Sequence, residues 1–328
     1  MNNFHSNSQS WLIALSLTLF CHTGFAADNS WTIPKEGSIP ANMEGDYIRY
    51  GKELILNTQQ YLGPRAKNQN MRYSGNNLAC TNCHLQGGTR QYAAPFIGVV
   101  AIYPNYRKRE NSIGTIEDRI NGCMTRSLNG RELPRDSKEM KAMVSYMSWL
   151  SQGVAVGAKI DGLGFHKISV PNRAADKVAG KLVFEKQCQG CHGAEGQGIP
   201  KGNLADGAGY QFPPLWGQDS FNEGAGMHRV IQAAQFIKYN MPFGVSADNP
   251  VLSDAESFDV AAYINSFSRP AQDGKEKDFP LVENKPVDCP YPPYADNFSV
   301  EQHKIGPFQP IIAEQESRAS AKKLALIP

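Results

Sequence analysis

The sequence has no surplus of either charge. Lys and Arg number 33 against 31 Asp and Glu, a formal net charge of +2, so it lacks the basic field that draws a nucleic acid. It also lacks any apolar run long enough to span a bilayer, which takes about 20 residues. WLIALSLTLFC at 11–21 has only eleven. TGFAAD (23–28) follows, with small residues suited to cleavage near Ala26 or Ala27, and residues 1–26 are expected to be a removable secretory leader. The leader has no Lys or Arg ahead of its apolar run, a departure from the usual pattern. Export predicts a periplasmic protein, in a compartment where thiols oxidise, with Cys21 removed and six of the seven cysteines kept.

What is present is ordinary for a globular chain, with 41% hydrophobic and 20% charged residues. The length of 328 residues leaves room for two domains of about 150 residues each. A loose internal repeat divides it. YGKELILNTQQYL (50–62) precedes the string CTNCH (80–84), and AGKLVFEKQCQGCH (179–192) contains a second such string. Each string leads through loops to an amphipathic helix. The first is SKEMKAMVSYMSWLSQ (137–152), with Met140, Met143, Val144, Met147 and Leu150 at helical spacing. The second is SDAESFDVAAYINSFS (253–268), capped by Ser253 or Asp254, with Phe258, Ala261, Tyr263 and Ile264 inward. The expected division is a first unit over 27–157, a second over 173–269 and a C-terminal extension over 270–328. The glycine-rich stretch 153–173 reads as a linker, with 158–172 as its body. The extension is rich in proline, shows no period, and is expected to wrap the surface as extended chain.

C-x-x-C-H is the attachment string of a c-type haem. Its thiols become thioethers to the porphyrin and its histidine sits under the iron. Cys80, Cys83 and His84 form one such set, and Cys188, Cys191 and His192 the other. A redox or zinc CxxC ahead of a chance histidine is the rival for one match, and a poor one for two. In the second unit KYNMPFG (238–244) resembles the distal methionine loop of class I cytochromes c, which makes Met241, 49 residues after His192, the sixth ligand. Met227, His228 and Lys238 are its rivals. The first unit has no such loop. Its methionine stripe reads as core, and His166 stands alone in the linker. Where a distal ligand is expected, 39 residues after His84, stands Cys123.

TIEDRINGCMTRSLNG (115–130) reads as a helix capped by Thr115, with Asp118 three residues on, and stopped by Asn129-Gly130. Arg119, Cys123 and Ser127 share one face, and Arg126 borders it. Gly122 leaves room beside the sulfur for something bulky, as a haem edge would be. Three readings of Cys123 stand side by side. It is a buried apolar residue, a disulfide partner of Cys289, or an iron ligand. A ligating thiolate would favour ferric iron and lower the potential, whereas Met241 would raise that of the second haem. A plain electron carrier has no need of that asymmetry.

RINGCMTRSLNG (119–130), with a CxxCH upstream and a second CxxCH and an M-P loop downstream, resembles the dihaem thiosulfate dehydrogenases, some of which also run as tetrathionate reductases. The resemblance covers residues 45–268. It implies a mainly α fold, two class I cytochrome c-like haem domains in tandem ahead of the extended tail. The implied activity joins two thiosulfate dianions into tetrathionate with release of two electrons. It implies His84 and Cys123 as axial ligands of the catalytic haem, with Arg109, Arg119 and Ser127 touching substrate. His192 and Met241 would ligate the electron-transfer haem, which hands electrons to a partner such as a small soluble cytochrome c. Some members use a lysine beside that methionine as an alternative ligand. Here Asn240 holds that position and the lysine is Lys238, whose alternative place is the substrate site. Crowding two dianions suits fixed guanidinium groups. The plainer reading of Arg107, Lys108, Arg109, Arg119 and Arg126 is a solvated basic face or a set of haem propionate partners. Two further functional readings are a dihaem electron carrier, with methionine on both irons, and a Sox-type cytochrome that works with partner subunits.

Overall fold

The computed structural model describes residues 31–158 and 160–324. The leader expected at 1–26 lies outside the described residues. Seven helices of eleven residues or more occur among the described residues, with two short antiparallel hairpins. The helices are α1 (Met43–Leu56), α2 (Ile116–Arg126), α3 (Lys138–Leu150), α4 (Lys177–Gln187), α5 (Val230–Asn240), α6 (Asp254–Asn265) and α7 (Gln309–Leu324). None is long and apolar enough to cross a membrane.

The internal repeat becomes a repeated helix crossing. In the first unit α1 packs on α3, and in the second α4 packs on α6. A glycine sits at each closest approach. A Cβ added to Gly51 would lie 2.0 Å from the Ala142 carbonyl oxygen, and one on Gly180 would lie 2.1 Å from that of Asp259. Met140, Met143, Met147 and Leu150 are buried in the first core, and Phe258, Ala261 and Ile264 in the second. Tyr263 packs at the second core's margin.

The capping residues act as their chemistry requires. Thr115 and Asp118 form a capping box on α2, as Ser253 and Glu256 do on α6, each side chain accepting from the other's backbone N–H. Asn129, at φ 47°, ends the turn after α2. The hairpin of β1 (Asn105–Arg107) and β2 (Ser112–Gly114) feeds directly into α2.

The C-terminal extension departs from its sequence-based expectation, and the linker is tied down by contacts that its composition does not indicate. The described part of 158–172 carries no helix or strand, yet it is no slack tether. Ile160 is buried, and the carbonyls of Gly162 and Gly164 accept from the backbone N–H groups of Tyr92 and Ala94. The C-terminal extension runs without regular structure beyond short 3-10 turns to residue 298, then forms the helix Val300–Ile305 and α7. It has a small core of its own in Phe279, Cys289 and Tyr291. The amphipathic pattern of α7 is weak because Phe308 and Ile311, at its start, supply its contact with the second core.

Candidate functional site

A cavity lies at each CxxCH string, and residues of the first unit line both. Counting space open to solvent, the first is about 1120 Å³ and is lined by Cys80, Cys83, His84, Arg119, Cys123 and Ser127 amid apolar side chains. The second, about 1670 Å³, is lined by Cys188, Cys191, His192, Met227 and Met241 among others. The two share a wall, because Leu78 and Cys83 line both.

Both histidines are oriented from behind. The His84 Nδ1 lies 2.5 Å from the Ala94 carbonyl oxygen, and the His192 Nδ1 lies 2.8 Å from that of Pro213. A carbonyl only accepts, so Nδ1 carries the proton and donates, and Nε2 keeps its lone pair for a metal. Burial also pulls the His192 pKa down, against the opposing effect of the Pro213 carbonyl.

The thiols separate into two kinds. Burial pushes Cys80 up to about 11, Cys83 up to about 12 and Cys188 up to about 11. Such thiols are unlike the acidic thiols of redox CxxC motifs. Among the described residues no group of three or more His, Cys, Asp and Glu is arranged to hold a metal ion, so the strings have no partners for a zinc site. Cys123 behaves differently. Burial pushes its thiol up, but the Arg119 guanidinium and His84 outweigh burial and bring it down to about 6. The Arg119 Nη1 donates to the Cys123 Sγ at 3.0 Å. Six cysteines are free among the described residues, and Cys289 lies buried in the extension's core with its thiol directed at the Tyr291 carbonyl. The Cys123–Cys289 disulfide does not form.

The donor set fits haem c in both cavities. Each has two half-buried thiols at its edge, an imidazole with a free Nε2, a sulfur donor and an apolar wall. Three other cations near this site are committed elsewhere. Arg107 pairs with Glu110 through two hydrogen bonds of 2.9 and 2.8 Å. Its Nη2 fills the space beside Gly122, 3.3 Å from where a Cβ would stand, so the bulk that Gly122 accommodates includes a guanidinium. Arg109 and Arg126 both bind Asp278 of the extension at 2.8 Å. Arg109 therefore does not line the Cys123 cavity, contrary to the role expected of it. Lys238 lines neither cavity and pairs with Asp254 at the start of α6. For Arg109 and Arg126 the carboxylate lies 169 and 152 residues away along the chain, a contact that sequence spacing does not reveal.

His228 does not line the second cavity, and its Nδ1 donates to the Glu223 carbonyl at 2.9 Å. Met227 does line it, as does Met241, the C-cap of α5. Sequence reasoning missed Tyr103, Leu163 and Gly164 in the first wall. A lone tyrosine and a glycine-rich stretch carry no periodic signal.

Two such cavities on one chain define a dihaem c-type cytochrome, and the two domains carry two covalently attached haem c groups. The SoxA/TsdA cytochrome c domain matches residues 68–156, and the cytochrome c domain matches 178–268. Full-length relatives narrow the class. The chain is 39% identical over 245 residues to a thiosulfate dehydrogenase of Stutzerimonas stutzeri, covering 75% of each chain. It is 41% identical over 264 residues to a thiosulfate dehydrogenase of Allochromatium vinosum, covering 79% of this chain and 91% of that one. It belongs to the thiosulfate dehydrogenase family. Among solved structures, the thiosulfate dehydrogenase TsdBA of Marichromatium purpuratum superposes with a TM-score of 0.66 at 35% identity, over 74% of this chain. The match spans half of that longer chain.

Proposed function

We propose that the chain oxidises two thiosulfate dianions to tetrathionate in the first cavity, with Cys123 and Arg119 as its working pair. The observation that carries this is the low-pKa sulfur of Cys123, held by Arg119 in the same cavity as His84. Cys80 and Cys83 would attach the first haem and Cys188 and Cys191 the second. His84 and Cys123 would hold the iron of one, and His192 and Met241 that of the other. When bound, the two haems supply one-electron acceptors, at low potential beside a thiolate donor and at higher potential beside a thioether.

The side chains bring the reactants together. Arg119 offers a forked, permanent charge to a sulfonate, and Ser127, the C-cap of α2, offers a hydroxyl on the same face. The Cys123 thiolate then bonds to the outer sulfur of one thiosulfate, giving a cysteine S-thiosulfonate and releasing two electrons. A second thiosulfate attacks that outer sulfur, tetrathionate leaves, and the thiolate is restored. Arg119 counters the negative charge gathered in this exchange. The same residues serve the reverse reduction. Arg109 and Lys238, each paired with a carboxylate, lie outside the lining of this cavity.

The chain would act after export to the periplasm, with a small soluble cytochrome c as electron acceptor. The test is turnover of the purified single chain with thiosulfate and ferricyanide, and with tetrathionate and a reduced viologen. Mass spectrometry should find a thiosulfonate mass on the Cys123 peptide after substrate. Absence of turnover, with a Cys123→Ala spectrum like the parent's, would leave the electron-carrier reading. Turnover that requires added subunits would leave the Sox-type reading.

A further inference from the structure

Residues 84–94 of the first unit do more than orient His84. The segment ends on the Ala94 carbonyl that holds the His84 ring, and on the way it reaches into the second unit. The Arg90 Nε donates to the Asn240 Oδ1 at 3.0 Å, and the Arg90 Nη2 donates to the Val245 carbonyl. The Asn240 Nδ2 donates to the Tyr92 carbonyl at 3.2 Å and to the Phe236 carbonyl at 3.1 Å. Asn240 is buried, at 2% exposure. Arg90, Asn240 and Met241 all line the second cavity.

These bonds bracket Met241, one residue before it and four after. Beyond these bonds, the loop's contacts include an edge-to-face packing of Phe243 on Phe212, with ring centroids 6.2 Å apart. Phe243 is 81% exposed, and Gly244 and Ser246 are exposed as well. Its other hydrogen bonds are local, from the Val245 N–H to Pro242 and from the Asn249 N–H to Ser246. Backbone of this kind opens readily, whereas an axial thioether must be held within about 0.5 Å of its working position. The planar fork of an arginine fixes the directions of its two donors, one toward the amide oxygen and one toward the carbonyl five residues on, whereas a lysine presents both bonds from a single freely turning nitrogen.

We propose that Arg90 is a positioning residue for the distal ligand of the second haem, so that the first unit latches Met241 in place across the domain boundary. The proposal rests on Met241 being that ligand. The same segment then fixes the proximal imidazole of one haem and the distal thioether of the other, and the second site is complete only when the two units are docked.

The test uses the purified dihaem protein and needs no thiosulfate. The thioether-to-iron charge-transfer band of the oxidised protein reports methionine ligation, and a spectroelectrochemical titration reports the second haem's midpoint. In Arg90→Ala the band is expected to fall at least fivefold. The midpoint should drop by about tenfold in the reduction equilibrium, which is ~59 mV for one electron. Arg90→Lys keeps the charge but not the fork, and should lose most of the band too. Asn240→Ser approaches the latch from the other unit and should act in the same direction, which covers failure of an Arg90 variant to fold. Met241→Ala separates the two ideas. If it keeps the band, Met241 is not the ligand and the latch falls with it. If it abolishes the band while Arg90→Ala and Asn240→Ser leave band and midpoint at parental values, Met241 stands as ligand and the latch alone is overturned.

Discussion

Arg119 and Cys123 stand one helical turn apart on α2, with the guanidinium Nη1 3.0 Å from the sulfur. The bond joins the two groups that the proposed chemistry needs most, a cation for the sulfonate and a sulfur kept as thiolate. Replacing Arg119 with leucine is therefore expected to lower kcat/KM for thiosulfate by about 10²- to 10³-fold, the usual cost of deleting a charge-stabilising donor. Steady-state rates with ferricyanide measure it. Lysine at this position should recover only part of the loss, because it restores charge without the fork.

The crossing glycines have no tolerance for a side chain. Gly180→Ala places a Cβ against the Asp259 carbonyl, and Gly51→Ala does the same against Ala142. Each should destabilise its own unit by about 1–3 kcal/mol through overpacking. Denaturant unfolding followed by haem absorbance should show a lowered midpoint in both variants.

Asp278 ties the extension to the first unit through Arg109 and Arg126, and it accepts from the Tyr291 hydroxyl at 2.7 Å as well. Asp278→Asn removes the charge and leaves two half-buried guanidinium groups without their partner. The expected loss is about 3 kcal/mol, in the range for breaking a buried ion pair from one side. The rate per folded molecule should change little, because none of these groups lines the first cavity.

His228 predicts a loss of stability in mild acid. Burial, aided by the nearby charge of Arg269, lowers its pKa to about 4. An unfolded histidine titrates near ~6.5. Between those values the unfolded chain binds the extra proton, so stability falls as pH drops below ~6.5 and the loss is complete near pH 4. The full effect is about 3 kcal/mol. Unfolding at pH 7 and at pH 4.5 should differ for the parent, and by clearly less for His228→Gln.

Local chemistry was readable from the sequence. The capping boxes at Thr115 and Ser253, the stop at Asn129, the methionine stripe of α3 and the CxxCH strings are determined by residues within a turn or two of one another. The single face of Arg119, Cys123 and Ser127 follows from helical pitch alone, and all three line one cavity. What escaped was set by contacts across long sequence distances. Arg109 is taken up by a carboxylate 169 residues away, and Arg90 grips an amide 150 residues away. Sequence spacing cannot tell which cation will meet which partner. The helices beyond residue 298 escaped for a related reason. They follow a proline-rich stretch, and Phe308 and Ile311 meet a core built by other parts of the chain.

Leu78 and Cys83 belong to both cavities, and the thinness of that partition has a chemical consequence. Thiosulfate stripped of a single electron is a reactive sulfur radical, liable to wander off and damage what it meets. Haems held in these two cavities would supply two one-electron acceptors beside one another, so that both electrons could depart before such a species escapes and the product could leave with its spins paired.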